Sequence, residues 1–152
     1  MKTMRKQAGF GLIEVLVAFL ILTIGLLGMV SLQNKALYMS NTSYLYSQAV
    51  FLADDLLDRM RSNRDSLIRY QMSAADPLPA IVDCSSGAAA DCEPDDIADH
   101  DKALWLRDLQ ALLPSGQADV TVSVDNEVTV VIQFDDERDT SDLQSYTVRT
   151  RI

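Results

Sequence analysis

The chain has one histidine, His100, one tryptophan, Trp105, and two cysteines, Cys84 and Cys92, among 152 residues. It has no proline before Pro77, and from Phe10 to Leu32 its only ionisable side chain is Glu14. Each scarcity removes a class of chemistry. A lone histidine without a nucleophile-elbow motif gives no basis for a Ser–His–Asp or Cys–His site. Cys84 and Cys92 enclose seven residues, which is not the spacing of a C-x-x-C redox pair, and a zinc site needs more sulfur or histidine. No glycine-rich loop is present to cradle a phosphate. Asp95, Asp96, Asp99 and Asp101 lack the glycine and closing glutamate of a calcium loop. They read as solvated acidic surface, as do Asp135, Asp136, Glu137, Asp139 and Asp142. No catalytic residue, metal site or cofactor is expected.

Charge is distributed unevenly. Gln33 to Ile152 carries 21 acidic and 10 basic side chains, a net charge of −11 with His100 neutral. Such a body repels phosphate backbones, so nucleic acid is not an expected partner. The length suits one small domain plus an appendage.

The appendage is N-terminal. Met1 to Gly9 contains Lys2, Arg5 and Lys6 and no acid, and the 23 residues from Phe10 to Leu32 are almost all apolar. As a helix they span about 35 Å, enough for a hydrocarbon core of roughly 30 Å. Lys2, Arg5 and Lys6 precede the segment, so the positive-inside rule keeps the N-terminus in the cytoplasm and exports the remainder. No small-residue cleavage site follows Leu32, so the segment reads as a retained anchor rather than a discarded signal peptide. A carboxylate within it costs about 2.5–3.5 kcal/mol on insertion scales, which marks Glu14 as a candidate functional residue. The alternative is that Glu14 reaches from the cytoplasmic end of the span to the headgroups.

The string Gly9-Phe10-Gly11-Leu12-Ile13-Glu14 closely resembles the type IV prepilin cleavage and methylation motif. The resemblance implies that a prepilin peptidase cuts after Gly9, that Phe10 becomes an N-methylated N-terminus, and that Glu14 is the assembly carboxylate. In the family's usual account that carboxylate pairs with the N-terminus of a neighbouring subunit, neutralising two costly charges in lipid.

Beyond the anchor, Ala49, Leu52 or Ala53, Leu56, Met60 and Leu67 recur at helical spacing, and one helix is expected from about Phe10 to about Arg69. Gly25 and Gly28 are its weak points. Residues 71 to 98 read as a loop rich in alanine, serine, aspartate and proline, in which a Cys84–Cys92 structural disulfide is the favoured reading. A short amphipathic helix is expected over 101–113, with Trp105 as a core anchor. Alternating valines predict strands at about 119–125 and 127–134 around Asp125-Asn126, and a last strand at 146–152. The stretch Ala53-Asp54-Asp55-Leu56-Leu57-Asp58-Arg59-Met60-Arg61-Ser62-Asn63-Arg64 and the Asp101–Trp105–Leu113–Pro114 pattern resemble the type IV pilus modification protein family, PilV.

The expected fold is therefore α+β and pilin-like. It comprises a cleaved leader (1–9), a transmembrane and assembly half of the helix (10–32), an amphipathic half (33–70) and a globular head (71–152) with a small antiparallel sheet. The resemblance implies a minor prepilin that acts in pilus assembly and in pilus-dependent adhesion or motility, not an enzyme. It would sit as a single-pass inner-membrane protein with a periplasmic head, then in the fibre (fimbrium) at the cell surface. Its implied partners are major and minor pilins through the helix, the prepilin peptidase, the inner-membrane assembly platform and the lipid bilayer. Two rivals share parts of this pattern. A minor pseudopilin of a type II secretion system has the same leader and helix, and a tethered periplasmic enzyme or binding domain would need a convergent polar site in the head.

Overall fold

A computed structural model describes residues 11–77, 79–80, 84, 92–136 and 143–152. The expected leader and the Gly9–Phe10 junction lie outside the described residues. Contacts divide the chain into two compact units, the first ending at Ser40 and the second running from Asn41 to Ile152.

Helix α1 spans Leu12–Ser62, 51 residues, unbroken at Gly25 and Gly28. No proline interrupts it, and two isolated glycines each cost only about 1 kcal/mol against alanine. In the second unit it buries Ala49, Leu52, Ala53, Leu56 and Met60, which belong to the apolar face expected from the sequence, and also Leu45 and Leu57. Ala49 and Ala53 are completely buried, and their small side chains let neighbouring elements approach the helix backbone closely.

The helix stops seven residues short of the expected Arg69. Asn63 leaves the helical path at φ −125°, ψ 58°, and Arg64–Tyr70 forms a 3-10 segment broken at Ser66. The tighter segment has a packing reason. Residues three apart eclipse in a 3-10 turn, so Leu67 and Tyr70 both face the core.

Helix α2 spans Pro94–Leu112 and begins seven residues before the expected Asp101. Pro94 at the first helical position loses no needed N–H, Asp95 and Asp96 complement the positive end of the dipole, and Asp96 Oδ2 accepts the Glu93 N–H at 3.3 Å. The proline-rich loop expected over 71–98 thus gives way to helix at its end. At the other terminus Gly116 is required by close approach, because a Cβ there would lie 2.9 Å from the Leu109 carbonyl oxygen.

Strands β1 (Gln117–Val122), β2 (Glu127–Phe134) and β3 (Gln144–Arg151) form one antiparallel sheet in that order. Val128, Val130, Ile132 and Phe134 alternate inward with no exposed surface. The hairpin turns earlier than the expected 119–125 strand allows. Ser123 and Glu127 close it, Asn126 adopts φ 57°, and Val124 is fully exposed at the turn instead of pointing inward. Asparagine tolerates that left-handed conformation better than any β-branched residue. β3 begins at Gln144, two residues before the expected start, and ends at Arg151.

Trp105 locks α2 to α1. Its ring is completely buried and its Nε1–H donates to the Leu52 carbonyl at 2.8 Å. Tyr46 joins α1 to the sheet through an edge-on ring contact with Phe134 at 5.2 Å and a hydrogen bond to Gln144 Oε1 at 3.1 Å.

Candidate functional site

The first unit carries the candidate assembly residues. From Leu12 to Leu32 the large apolar side chains of α1 are at least half exposed on every face. A helix of a soluble domain buries one stripe, so apolar residues all round mark a helix made for lipid or for other helices. Those 21 residues extend about 31 Å, and α1 is long and apolar enough to cross a membrane. One of its hydroxyls is satisfied within the helix. Thr23 Oγ1 donates to the Leu20 carbonyl within the helix at 2.8 Å, as a hydroxyl in hydrocarbon must. Added Cβ atoms at Gly25 and Gly28 would meet nothing within 4 Å, so neither glycine serves packing within the chain.

Glu14 stands in the first turn of α1, where its N–H donates to the Gly11 carbonyl at 3.0 Å. A carboxylate there complements the positive helix end. Its side chain is exposed, and among the described residues it makes no ion pair. The place is sterically open to a cation from another molecule.

The head contains a second polar constellation that the sequence reading missed. The Arg59 guanidinium bridges Asp55 at 2.9 Å and Asp101 at 3.1 Å. Tyr70 Oη donates to the other oxygen of Asp101 at 2.7 Å, while Asn63 Nδ2 donates to the Pro94 carbonyl at 2.7 Å. Ser66 donates to Asp95 at 2.6 Å, and Asp99 receives Arg69 and Lys102, the latter at 2.9 Å. Burial and the Asp101 hydrogen bond push the Tyr70 hydroxyl well above its ordinary range. Three of the aspartates taken for solvated surface, Asp95, Asp99 and Asp101, therefore hold the helix end, the 3-10 segment and α2 together, while Asp96 caps the start of α2. The available signal was Asp101 four residues before Trp105, which puts both on the face of α2 turned toward α1.

Asp99 gives this constellation a pH dependence. Burial opposes its charge, but the hydrogen bonds from Arg69 and Lys102 outweigh that and hold its carboxyl below the usual range. A depressed carboxylate stabilises the fold above its unfolded pKa, and that contribution is lost as pH falls through the folded pKa. Asp99→Asn is expected to lower the melting temperature of the full chain in detergent at pH 7, with the gap to wild type closing below about pH 4. A gap that does not change with pH would remove the ionic role.

Cys84 and Cys92 are joined by a disulfide with Cα atoms 6.1 Å apart. Among the described residues no group of three or more His, Cys, Asp or Glu side chains is placed to hold a metal ion.

Comparison with known families adds two matches. The prokaryotic N-terminal methylation motif matches residues 4–30, covering the leader from Met4 with Arg5 and Lys6, Gly9–Phe10 and Glu14. The family described as type IV pilin Tt1218 matches residues 31–103, from the second part of α1 into α2. No curated protein and no solved structure matches the chain. A methylation motif opening an apolar helix, a pilin match beginning at the next residue and a small antiparallel sheet behind it agree: the chain is a type IV pilin, a subunit for pilus assembly.

Proposed function

We propose that the chain is a minor pilin of the PilV kind. It is made as a precursor, cut after Gly9 and methylated at Phe10. Residues 10–32 then hold it as a single-pass inner-membrane protein with the N-terminus cytoplasmic and the head outside. From there it enters the fibre, or primes it, through α1 and serves pilus-dependent adhesion or motility. The observation that carries this reading is Glu14 in the first turn of an apolar helix exposed on all faces, within the methylation-motif match. Removal of the leader exposes an ammonium group at Phe10, and Glu14 is the one carboxylate in the apolar segment available to pair with such a group on a neighbour. The second unit contributes a packed head whose polar clusters are internal ties, consistent with a structural subunit rather than an enzyme.

Processing is tested by the intact mass of the chain extracted from membranes of cells with an active prepilin peptidase. The expected species lacks Met1–Gly9 and carries one added methyl group on Phe10. A bulky residue at Gly9 should abolish the cut, while Gly9→Ala, still small, should permit it. Recovery of the uncut wild-type chain would sink the proposal.

A further inference from the structure

The two edges of the sheet are finished differently. Along β1 the segment after the 3-10 turn closes the edge. Met72 exchanges backbone hydrogen bonds with Val120 at 3.2 and 2.9 Å, Gln71 Nε2 donates to the Val122 carbonyl, and the Ala74 N–H donates to Asp119 Oδ1 at 3.0 Å. Among the described residues β3 has no such cover. Val120 turns its N–H and C=O away from β2, so the neighbouring odd-numbered residues of β1 bond to β2. By the alternation of an antiparallel ladder, β2 then meets β3 through Tyr146, Val148 and Thr150. The bond from the Ile152 N–H to the Asn126 carbonyl at 3.1 Å continues that series. The N–H and C=O groups of Ser145, Thr147, Arg149 and Arg151 therefore point outward, and among the described residues no backbone hydrogen bond reaches them.

An open edge is usually guarded by proline, a bulge, lysine or an inward charge. β3 has none of these. Its register with β2 is regular over all eight residues, and its inward positions carry no charge. What it does carry is positive charge on the outward face. Gln144–Arg151 holds two arginines and no acid, in a stretch from Asn41 to Ile152 with 21 acidic and 9 basic side chains. The Arg149 side chain is 67% exposed, with Glu127 at 3.6 Å and its Nε–H donating to Thr129 Oγ1 at 3.3 Å, and Arg151 has no ion pair among the described residues.

We propose that β3 is a docking edge for an extended acidic segment of another protein. The segment adds a fourth strand by bonding to the outward groups of Ser145 to Arg151 and sets carboxylates at every second residue against Arg149 and Arg151. A second copy is a poorer occupant. Its β3 would bring two more arginines to the same face, and two strongly acidic bodies would have to approach each other.

The test uses the full chain in detergent micelles, with backbone amides followed by NMR. The probe is a synthetic capped peptide, Thr-Glu-Val-Glu-Val-Glu-Thr, at millimolar concentration. The expected result is shift changes and slowed exchange confined to Ser145, Thr147, Arg149 and Arg151. Replacing the glutamates by lysine should weaken binding about tenfold, by reversing two exposed charge pairings. Methylating alternate peptide nitrogens should abolish binding, because it removes the donors while keeping every charge. Thr147→Pro should also abolish it, since that N–H points outward and the β2 ladder does not use it. Absence of any response at β3 would overturn the proposal. So would equal binding of the N-methylated peptide, equal binding of the lysine peptide, or self-association of the chain through β3.

Discussion

Glu14→Gln is expected to leave membrane insertion and cleavage at Gly9 intact and to deplete the chain from sheared pili. The substitution keeps the size and polar tip of the side chain and removes only its charge. Insertion should not suffer, because a neutral amide in an apolar helix costs less than a carboxylate. Cleavage should not suffer, because the peptidase acts at the Gly9–Phe10 junction, five residues before Glu14. Assembly should suffer if Glu14 pairs with a neighbour's N-terminal ammonium. A charge left unpaired in an apolar environment costs several kcal/mol, and each 1.4 kcal/mol is a factor of about ten in an association constant. The expected depletion is therefore about a hundredfold or more relative to wild type, read by immunoblot of membrane and sheared fractions. If Glu14 only reaches for lipid headgroups, glutamine serves nearly as well and the variant appears in pili at normal levels. That outcome would return Glu14 to a passive role and leave the processing proposal to stand on its own test.

How far the molecule can be read from its sequence depends on how local each signal is. The apolar run, the basic leader and the single acid at Glu14 are contiguous, and the helix they predict is continuous through Gly25 and Gly28. The inward stripe from Ala49 to Met60 and the alternation of β2 are likewise fixed by period alone. The end of α1 is different. Asn63 breaks the helix while its side chain holds the Pro94 carbonyl, 31 residues away, and no local pattern announces that partner. The start of α2 was obscured because proline is both a loop former and a preferred first helical residue. The acidic cluster misled for a similar reason. Asp95, Asp99 and Asp101 look like solvated surface until the 3-10 segment brings Ser66, Arg69 and Tyr70 against them. The open edge of β3 could not be read at all, since it is defined by what fails to pair with it.

The largest effect on the head is expected at Trp105. It is the chain's only tryptophan, completely buried between α2 and α1, and its removal takes away the largest side chain in a small core. Trp→Ala in a core typically costs about 3–5 kcal/mol, from lost transfer energy and the cavity left behind. For a domain of this size each kcal/mol moves the melting temperature by roughly 4–8 °C. Trp105→Ala should therefore lower it by about 12 °C or more, or leave no cooperative transition, as followed by circular dichroism of the full chain in detergent. Trp105→Phe separates packing from hydrogen bonding. It keeps much of the aromatic volume but loses the Nε1–H that donates to Leu52. That carbonyl still accepts its own helical bond from four residues on, so the missing donor should cost only about 1 kcal/mol. Packing then dominates, and the phenylalanine variant should retain a cooperative melt several degrees below wild type. Should the two variants melt together, the indole hydrogen bond is the main tie between the helices. Should Trp105→Ala melt within a few degrees of wild type, Trp105 is not the anchor of this core.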